Sequence, residues 1–348
     1  MLPRERVQAA LEFRAPDVVP LQVCAAAGGL YEHGQKLADL ARACGHDFGL
    51  LDWVRPPEKP PPGDFDPDGR YHAVKTDEWG TTWEYRIFGV WGHPLAWPLN
   101  DMSKLASYRL PARPALSGWD LAAACDRGEQ HRRRYFQLEG GGSIFEKLHS
   151  IRRFEDVLMD IELDTPEINR LADMLVDYHA AFVARALAVG TDGVAFGDDF
   201  GTQQGPIISP RTWRRFFKPR YRALMDPIVR AGKHIFFHSC GQIEWMLEDL
   251  RELGVGAIWP QLPLFDLKDL ARRCRELHLA VQLHPDRGEL MQRGTPRQVR
   301  DYCLRMLDDM DTAGGGSWLY IEIDPGFPWP NVEAIFKLAM ELRRGKEG

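Results

Sequence analysis

The sequence predicts an α/β fold, a single (β/α)8 TIM barrel with a β-rich insertion near the N-terminal third. Short apolar runs alternate with amphipathic helical patterns, and about eight such pairs follow one another at a spacing of roughly 30 residues. The length of 348 residues suits one barrel with insertions. An open doubly wound sheet is the alternative, but neither GxGxxG nor a phosphate-binding loop follows any predicted strand.

Each element is predicted from its own local signals. Strand predictions depend on short apolar runs that end at glycine, proline or polar residues. Helix predictions depend on the 3.6-residue period and on cap residues such as Thr165, Thr295 and Asn331. The predicted strands are residues 18–24, 48–54, 135–139, 193–199, 235–238, 257–261, 280–284 and 318–324, with a glycine turn at 140–142. The predicted helices are residues 4–13, 35–44, 119–131, 151–161, 166–188, 210–230, 242–253, 266–276, 296–312 and 331–344.

Residues 55–105 are predicted to form the insertion within a single domain that spans residues 1–348. The segment opens with a run rich in proline and glycine, which excludes regular structure, and continues with alternating aromatic and β-branched residues typical of a hairpin. Its four tryptophans are expected to form a small core of the insertion: Trp79, Trp83, Trp91 and Trp97. We expect that an insertion of this kind can form a lid.

Composition excludes several classes of protein. A formal net charge of -6 argues against nucleic-acid binding, which requires a basic face. Neither a signal peptide nor a membrane-spanning run is found in the sequence, so a cytoplasmic location is expected. The six cysteines lack the spacing of a disulfide framework, as expected for reduced thiols.

The segment HSCG, at the end of the strand predicted at 235–238, indicates a metal site. His238 and Cys240 are two positions apart, so in extended backbone their side chains point to the same side. Imidazole with thiolate favours zinc, and a catalytic zinc needs three protein ligands. The alternative is a partly buried cysteine beside a structural histidine. Glu322 is the first choice for the third ligand, with His284 and Asp199 as further candidates.

Other polar residues are predicted to lie at the C-terminal ends of the strands, where barrel enzymes place their chemistry. Of the adjacent pair Asp198 and Asp199, one is expected to be catalytic, while the other ties a loop or caps a helix. The predicted substrate-binding residues are Glu139, Gln203, Gln261, His284 and Asp52.

These features resemble the uroporphyrinogen decarboxylase superfamily, a set of (β/α)8 barrels. The motifs that carry the resemblance are ERVQAALEFRAPDVVP, DEWGTTW, PLND, FGDDFGTQQGPIISPRTWRRFFKPRY, HSCG and RGTPRQV. They are similar to the branch that contains zinc-dependent methyltransferases acting on corrinoid proteins and thiols. The resemblance implies zinc ligation by His238 and Cys240 and by a late cysteine, but that position falls near Ile323 in this sequence.

The resemblance also bears on decarboxylation. The porphyrinogen decarboxylases carry an arginine-rich loop after the first strand, whereas this sequence has CAAAGGLYEHG there. Without those guanidinium groups, binding an octacarboxylate would be hard. Asp52 is a loose match to the catalytic aspartate of the decarboxylases.

The predicted function is therefore methyl transfer, with zinc as cofactor and a corrinoid carried on a partner protein. The acceptor would be a small thiol or hydroxyl compound, and the protein is expected to be a monomer or homodimer. The alternatives are a metal-free lyase similar to uroporphyrinogen decarboxylase and a non-catalytic ligand-binding protein on the same barrel.

Overall fold

The computed structural model describes residues 1–24, 26–51 and 54–344. The strands are β1 Leu21–Cys24, β2 Ala73–Thr76, β3 Thr82–Tyr85, β4 His93–Ala96, β5 Leu138–Gly142, β6 Gly193–Gly197, β7 His234–Ser239, β8 Ala257–Pro260, β9 Ala280–Leu283 and β10 Ser317–Glu322. Seven strands form one parallel sheet in the order β1-β10-β9-β8-β7-β6-β5, and β2-β3-β4 form a separate antiparallel sheet. The predicted α/β barrel with a β-rich insertion is confirmed.

Helices follow most strands of the parallel sheet and cover its outer face. The helices are α1 Pro3–Leu11, α2 Ala27–His33, α3 Gln35–Cys44, α4 Trp119–Arg132, α5 Phe145–Ile151, α6 Phe154–Glu162, α7 Pro166–Val189, α8 Pro210–Phe216, α9 Lys218–Arg230, α10 Leu247–Glu252, α11 Leu267–Leu277, α12 Glu289–Arg293, α13 Pro296–Asp309 and α14 Trp329–Arg343. Among the described residues, we find no helix with the length and apolar character that crossing a bilayer requires.

The sheet closes between β1 and β5 through a buried charge network. The predicted strand at 48–54 is wrong for the residues described there, while residues 52 and 53 lie outside the described part of the chain. Asp47 bridges the gap, because its N–H donates to the Leu21 carbonyl at 2.9 Å and its carbonyl accepts the Phe136 N–H at 3.1 Å. Its buried carboxylate binds Arg6 and Arg343, each at 2.6 Å. The hydrogen bonds of Asp47 thus link β1 to the segment before β5, where the described residues form no strand pair.

The interior of the barrel is filled with apolar side chains near the N-terminal ends of the strands. Phe136, Phe236 and Trp318 pack there, and Val7 and Leu11 of α1 cover this end. A filled interior leaves room for ligands only at the opposite, C-terminal end.

Three local predictions are corrected. Residues 140–142 end β5 instead of forming a turn, because a Cβ at Gly141 would lie 2.5 Å from the ring of Phe196. The predicted helix 210–230 divides between α8 and α9, where Pro219 removes a backbone donor. Asn331 is not a cap: α14 begins at Trp329, and the buried Asn331 amide donates to the Gly294 carbonyl at 2.8 Å.

The insertion packs on α5 beside the C-terminal mouth of the barrel. The hydroxyl of Thr81 donates to the Ser150 carbonyl at 2.7 Å, and the Leu99 N–H donates to the Ile151 carbonyl at 3.1 Å. Trp79 is buried against Tyr178 of α7, with ring centroids 5.0 Å apart. The insertion is therefore fixed to the barrel by contacts from its middle and from its end.

Candidate metal centre

The loops after β6 and β7 cross directly above the mouth of the barrel. A Cβ on Gly241 would lie 2.0 Å from the backbone of Gly201, and the φ of Gly241 is +79°. Only glycine tolerates both the close approach and that conformation. The Gln242 N–H donates to the Thr202 carbonyl at 2.8 Å, which joins the two loops beyond the crossing point. The crossing brings Asp199 next to Cys240.

Asp199, His238 and Cys240 form one compact group at this crossing. Their candidate ligand atoms all lie within 4.8 Å of one another. His238 Nε2 is 3.5 Å from Cys240 Sγ and 3.5 Å from Asp199 Oδ1. The second Asp199 contact is the Cys240 N–H, which donates to Oδ1 at 2.7 Å. The group therefore offers one nitrogen, one sulfur and one carboxylate.

The His238 imidazole is held with Nε2 facing the other two groups. Its Nδ1 lies 2.8 Å from the Trp259 carbonyl, to which it donates its proton. The Trp259 indole also packs on the imidazole, with ring centroids 4.1 Å apart. Burial lowers the pKa of His238, and nearby Asp199 opposes that effect. A neutral ring with its proton on Nδ1 leaves the Nε2 lone pair available to a metal.

Cys240 carries a thiol in this environment. Burial, followed by the Asp199 carboxylate, raises the pKa of Cys240 to about 12. The thiolate is therefore favoured only when a cation is present to offset the nearby negative charge.

Asp198 borders the cavity at the mouth, but the surrounding structure already binds its carboxylate. Its buried carboxylate accepts the N–H groups of Ile144, Phe145 and Glu146 at 2.7–2.8 Å. It also accepts a short hydrogen bond from the Tyr221 hydroxyl. Burial raises the pKa of Asp198 to about 7 against these hydrogen bonds. Asp198 thus caps α5, and it offers no free oxygen to the cavity that it borders.

Glu322 is not a member of this candidate metal-binding group of Asp199, His238 and Cys240. It ends β10, where Arg287 Nη1 lies 2.8 Å from its Oε2 and the Tyr320 hydroxyl donates to that oxygen at 3.2 Å. Arg287 also binds Asp324 through two nitrogens at 2.7 Å. Because Arg287 and Tyr320 already bind its carboxylate, Asp199 replaces Glu322 as the third candidate ligand.

Two of the predicted substrate-binding residues lie together beside the group. Gln203 donates to Gln261 Oε1 at 3.0 Å, and the Gly241 N–H donates to the same oxygen at 3.1 Å. His284 is close by but buried, with its ring nitrogens 2.9 and 3.2 Å from the carbonyls of Pro285 and Pro260. Burial lowers the pKa of His284 to about 4. Its nitrogens therefore face the backbone, and His284 offers no free ligand atom.

The last two predicted residues do not lie in this group. Glu139 is the second residue of β5, accepts from Gln137 Nε2 at 2.9 Å and lines a separate cavity with residues of α4 and α7. It was predicted at a strand end because the strand itself was predicted to end three residues too early. Asp52 lies outside the described residues.

A cavity of about 540 Å³ opens between the metal-binding group and the insertion. Asp199 and His238 form its floor, α5 forms one wall, and Trp83 and Trp91 of the insertion form another. Trp91 is 79% exposed, so it departs from the expected tryptophan core of the insertion.

Sequence reasoning missed Glu146, which lies in the first turn of α5 and lines the cavity. Burial raises the pKa of Glu146, but His149 at 3.4 Å has the opposite effect and the pKa is lowered overall. Glu146 is therefore ionised at neutral pH. Its place four residues after the glycine run, between a predicted strand and the next predicted helix, was the signal that could have found it.

The comparisons with known proteins agree with this architecture. A methyltransferase from Methanosarcina mazei superposes on 98% of this chain and 99% of its own, with a TM-score of 0.63 and 13% sequence identity. That likeness shows a shared fold. A dihydropteroate synthase from Anaplasma phagocytophilum covers 52% of this chain and 70% of its own at 15% identity, and its TM-score of 0.37 is too low to carry an argument. A search of the curated proteins finds no match.

The family assignment comes from the sequence itself. The family model described as uroporphyrinogen decarboxylase (URO-D) matches residues 142–342, more than half of the chain. This range contains β6 to β10 and all three members of the metal-binding group. The resemblance found in the sequence motifs is confirmed, and the chain belongs to the uroporphyrinogen decarboxylase family.

Proposed function

We propose that the protein is a methyltransferase with a zinc site formed by Asp199, His238 and Cys240. The observation that carries the proposal is the meeting of these three side chains, with ligand atoms within 4.8 Å of one another, at the mouth of a barrel. Three protein ligands with one position left open are what catalytic zinc uses. The methyltransferase from Methanosarcina mazei supports this choice within the family, because it shares the complete fold.

The donor chemistry fits zinc. The mixed nitrogen, sulfur and oxygen set suits a borderline-soft divalent ion. The hydrogen bond of 2.8 Å from His238 Nδ1 to the Trp259 carbonyl is the kind of contact that fixes a metal-binding imidazole. A divalent cation would also displace the Cys240 proton, because cysteine binds metals as the thiolate, and its charge would offset the burial and the Asp199 carboxylate that raise the pKa of this thiol. A zinc ion bound there would take the thiol or hydroxyl of the acceptor at its open position and lower its pKa.

The residues of the cavity would supply the remaining functions. Glu146 is ionised and half-exposed in the cavity wall, so it can accept the proton of the acceptor. Gln203 and Gln261 lie beside the metal-binding group and outside the cavity lining; joined at 3.0 Å, they offer amide groups to orient a polar substrate. Asp198 has no part in proton transfer here, because its oxygens are bound by α5 and Tyr221.

The methyl group would come from a corrinoid carried on a partner protein, in keeping with the family resemblance. The oxygen or sulfur of the acceptor would donate an electron pair to the methyl carbon as its proton leaves. The pair of the broken cobalt–carbon bond would stay on cobalt. In the wall of the site, the buried Phe145 ring of α5 stacks on the buried Phe200 ring with centroids 5.4 Å apart.

The test is metal content followed by turnover. Protein purified without added zinc should contain about one zinc per chain, and His238→Ala and Cys240→Ser should lose it. Cys125→Ser is the matched control, because Cys125 contacts the Ala188 carbonyl far from the group. Loss of the methyl–cobalt absorbance of methylcobalamin with a thiol acceptor then measures transfer. Wild-type protein that binds no zinc even when zinc is added would refute the proposal.

A further inference from the structure

The two tryptophans of the cavity form a bent aromatic wall opposite carboxylates. Trp83 and Trp91 meet at 51° with ring centroids 5.6 Å apart. We infer that this wall binds a methylated quaternary ammonium group. The acceptor then carries this cation at the end opposite its hydroxyl or thiol. The assignment of this cation to the acceptor depends on the proposed function, whereas the binding of the cation does not.

The exposure of Trp91 is the first reason. The Trp91 indole is 79% exposed and lines the cavity, so a ligand in the cavity can cover apolar surface that the protein leaves open. Its neighbour Trp83 is 8% exposed and supports it from behind. The face of an indole is the most favourable aromatic surface for a cation, and methylated ammonium groups add apolar contact to the electrostatic attraction.

The orientation of Trp83 is the second reason. Its indole N–H donates to Asp77 Oδ2 at 2.9 Å, so the positive edge of the ring is already satisfied. Asp77 is held in place by the N–H groups of Trp79 and Thr81, both at 2.9 Å. A carboxylate fixed on the N–H edge makes the ring richer in electrons, which strengthens the attraction of its face for a cation.

The charges of the cavity are the third reason. Glu146 and Asp199 line it with carboxylates, and Asp199 is 39% exposed. Lys147 also lines it, but its ammonium lies 4.1 Å from the Trp79 ring centroid and is attracted by Asp77 and Glu78. Trp79 is a buried residue of the insertion, so this cation is directed into the insertion and not into the cavity. With Asp199 assigned to the proposed zinc site, the Glu146 carboxylate remains to attract a cation and to disfavour a carboxylate ligand.

Neutral aromatic ligands are the competing class, since they also stack on indoles. They would gain nothing from Glu146, however, whereas a methylated ammonium uses the wall and this carboxylate together. A pair of ligands with the same shape and different charge separates the two classes.

The experiment compares choline with its neutral isostere 3,3-dimethylbutan-1-ol by calorimetric titration of the complete protein. Choline should bind about tenfold more tightly than the isostere. Trp91→Leu should remove that preference, whereas the conservative Trp91→Phe should keep most of it. Glu146→Gln should weaken choline and leave the isostere unchanged.

Equal affinity for the two ligands, tighter binding of anisole than of choline, or full choline affinity in Trp91→Leu would overturn the inference. The titration is repeated with a chelator to separate the two proposals. If the protein binds no zinc but still prefers choline, the zinc methyltransferase is rejected and the cation site is kept. Zinc-loaded protein without choline preference would reject the cation site alone.

Discussion

His238 depends on Trp259 for its orientation in two ways. The Trp259 carbonyl accepts a hydrogen bond of 2.8 Å from His238 Nδ1. The Trp259 indole packs on the imidazole, with ring centroids 4.1 Å apart. Both contacts come from β8, the neighbouring strand, in which Trp259 is the register partner of His238. The nitrogen proposed to bind the metal is therefore oriented by strand pairing before any ligand binds.

The identity of the third ligand gives the first prediction. Asp199→Ala should weaken zinc binding by at least about tenfold, since the loss of a ligand costs no less than the loss of an outer partner. Glu322→Gln should leave zinc affinity within about twofold, because Glu322 binds Arg287 and lies outside the group. Competition with a fluorescent zinc chelator measures both variants. The reverse order of effects would restore Glu322 as the ligand.

Asp198 gives a prediction about stability. Asp198→Asn replaces an acceptor of three backbone N–H groups with a side chain that has one acceptor oxygen and an amide donor. The free energy of unfolding should fall by roughly 3 kcal/mol, because buried donors are left without partners. Urea denaturation in the presence of a chelator measures the change.

The adjacent Asp199→Asn is the matched control for that measurement. It keeps the oxygen that accepts the Cys240 N–H at 2.7 Å, so its unfolding should stay near that of the wild type. Equal loss in both variants would contradict the division of roles between the two aspartates.

At the scale of elements, the site depends on the crossing of the loops after β6 and β7. Gly241→Ala would place a Cβ 2.0 Å from the Gly201 backbone at a φ of +79°. Stability should fall by roughly 3 kcal/mol, and zinc affinity should fall with it, because Cys240 precedes the strained residue. Thermal unfolding and zinc titration measure the two effects.

Gly205→Ala is the control in the same region, since a Cβ there meets no atom within 4 Å. It should match the wild type in both measurements. A Gly241→Ala protein with normal zinc affinity would mean that the crossing does not position Cys240.

Sequence reasoning predicted most strands and helices because their signals are local. The strand that carries HSCG was found from a short apolar run, and Thr165 and Thr295 cap α7 and α13 as predicted. The predictions failed where distant residues decide. Asn331 looks like a cap but bonds to the Gly294 carbonyl, and the glycines at 140–142 accommodate Phe196 and His179 from neighbouring elements.

The candidate site was predictable in part for the same reason. The spacing of His238 and Cys240 fixes their convergence on one strand. The choice between Asp199 and Glu322 depends on which loops cross and on where Arg287 lies, and neither is encoded locally.

At the scale of the whole molecule, the cavity is a product of two parts distant in sequence. The barrel supplies Asp199 and His238, and the insertion supplies Trp83 and Trp91 after it packs on α5. The aromatic wall could not be predicted from the alternating pattern of the insertion, because that pattern does not say which ring faces the barrel.

Buried histidines make the stability of the whole fold depend on pH. His179 of α7 is 6% exposed beside Gly142, and burial lowers its pKa to about 4. Its pKa in the unfolded chain is about 6.5, so the unfolded state gains a proton that the native state does not take up. The stability that the buried neutral His179 contributes is complete above the unfolded-state pKa of about 6.5 and is lost as the pH falls toward the native-state pKa of about 4.

The free energy of unfolding should therefore drop by about 2 kcal/mol between pH 7 and pH 5 through this one residue. His179→Gln should lose that part of the pH dependence, as measured by urea denaturation at both values. The exposed His93→Gln should keep it. An unchanged pH dependence in His179→Gln would show that His179 already takes up its proton in the native state.

Anomalous diffraction at the zinc edge from zinc-soaked crystals tests the metal centre most directly. The predicted result is one peak at bonding distance, about 2.0–2.3 Å, from His238 Nε2, Cys240 Sγ and an Asp199 oxygen. A peak at Glu322 and Asp324, or no peak between His238 and Cys240, would contradict the account.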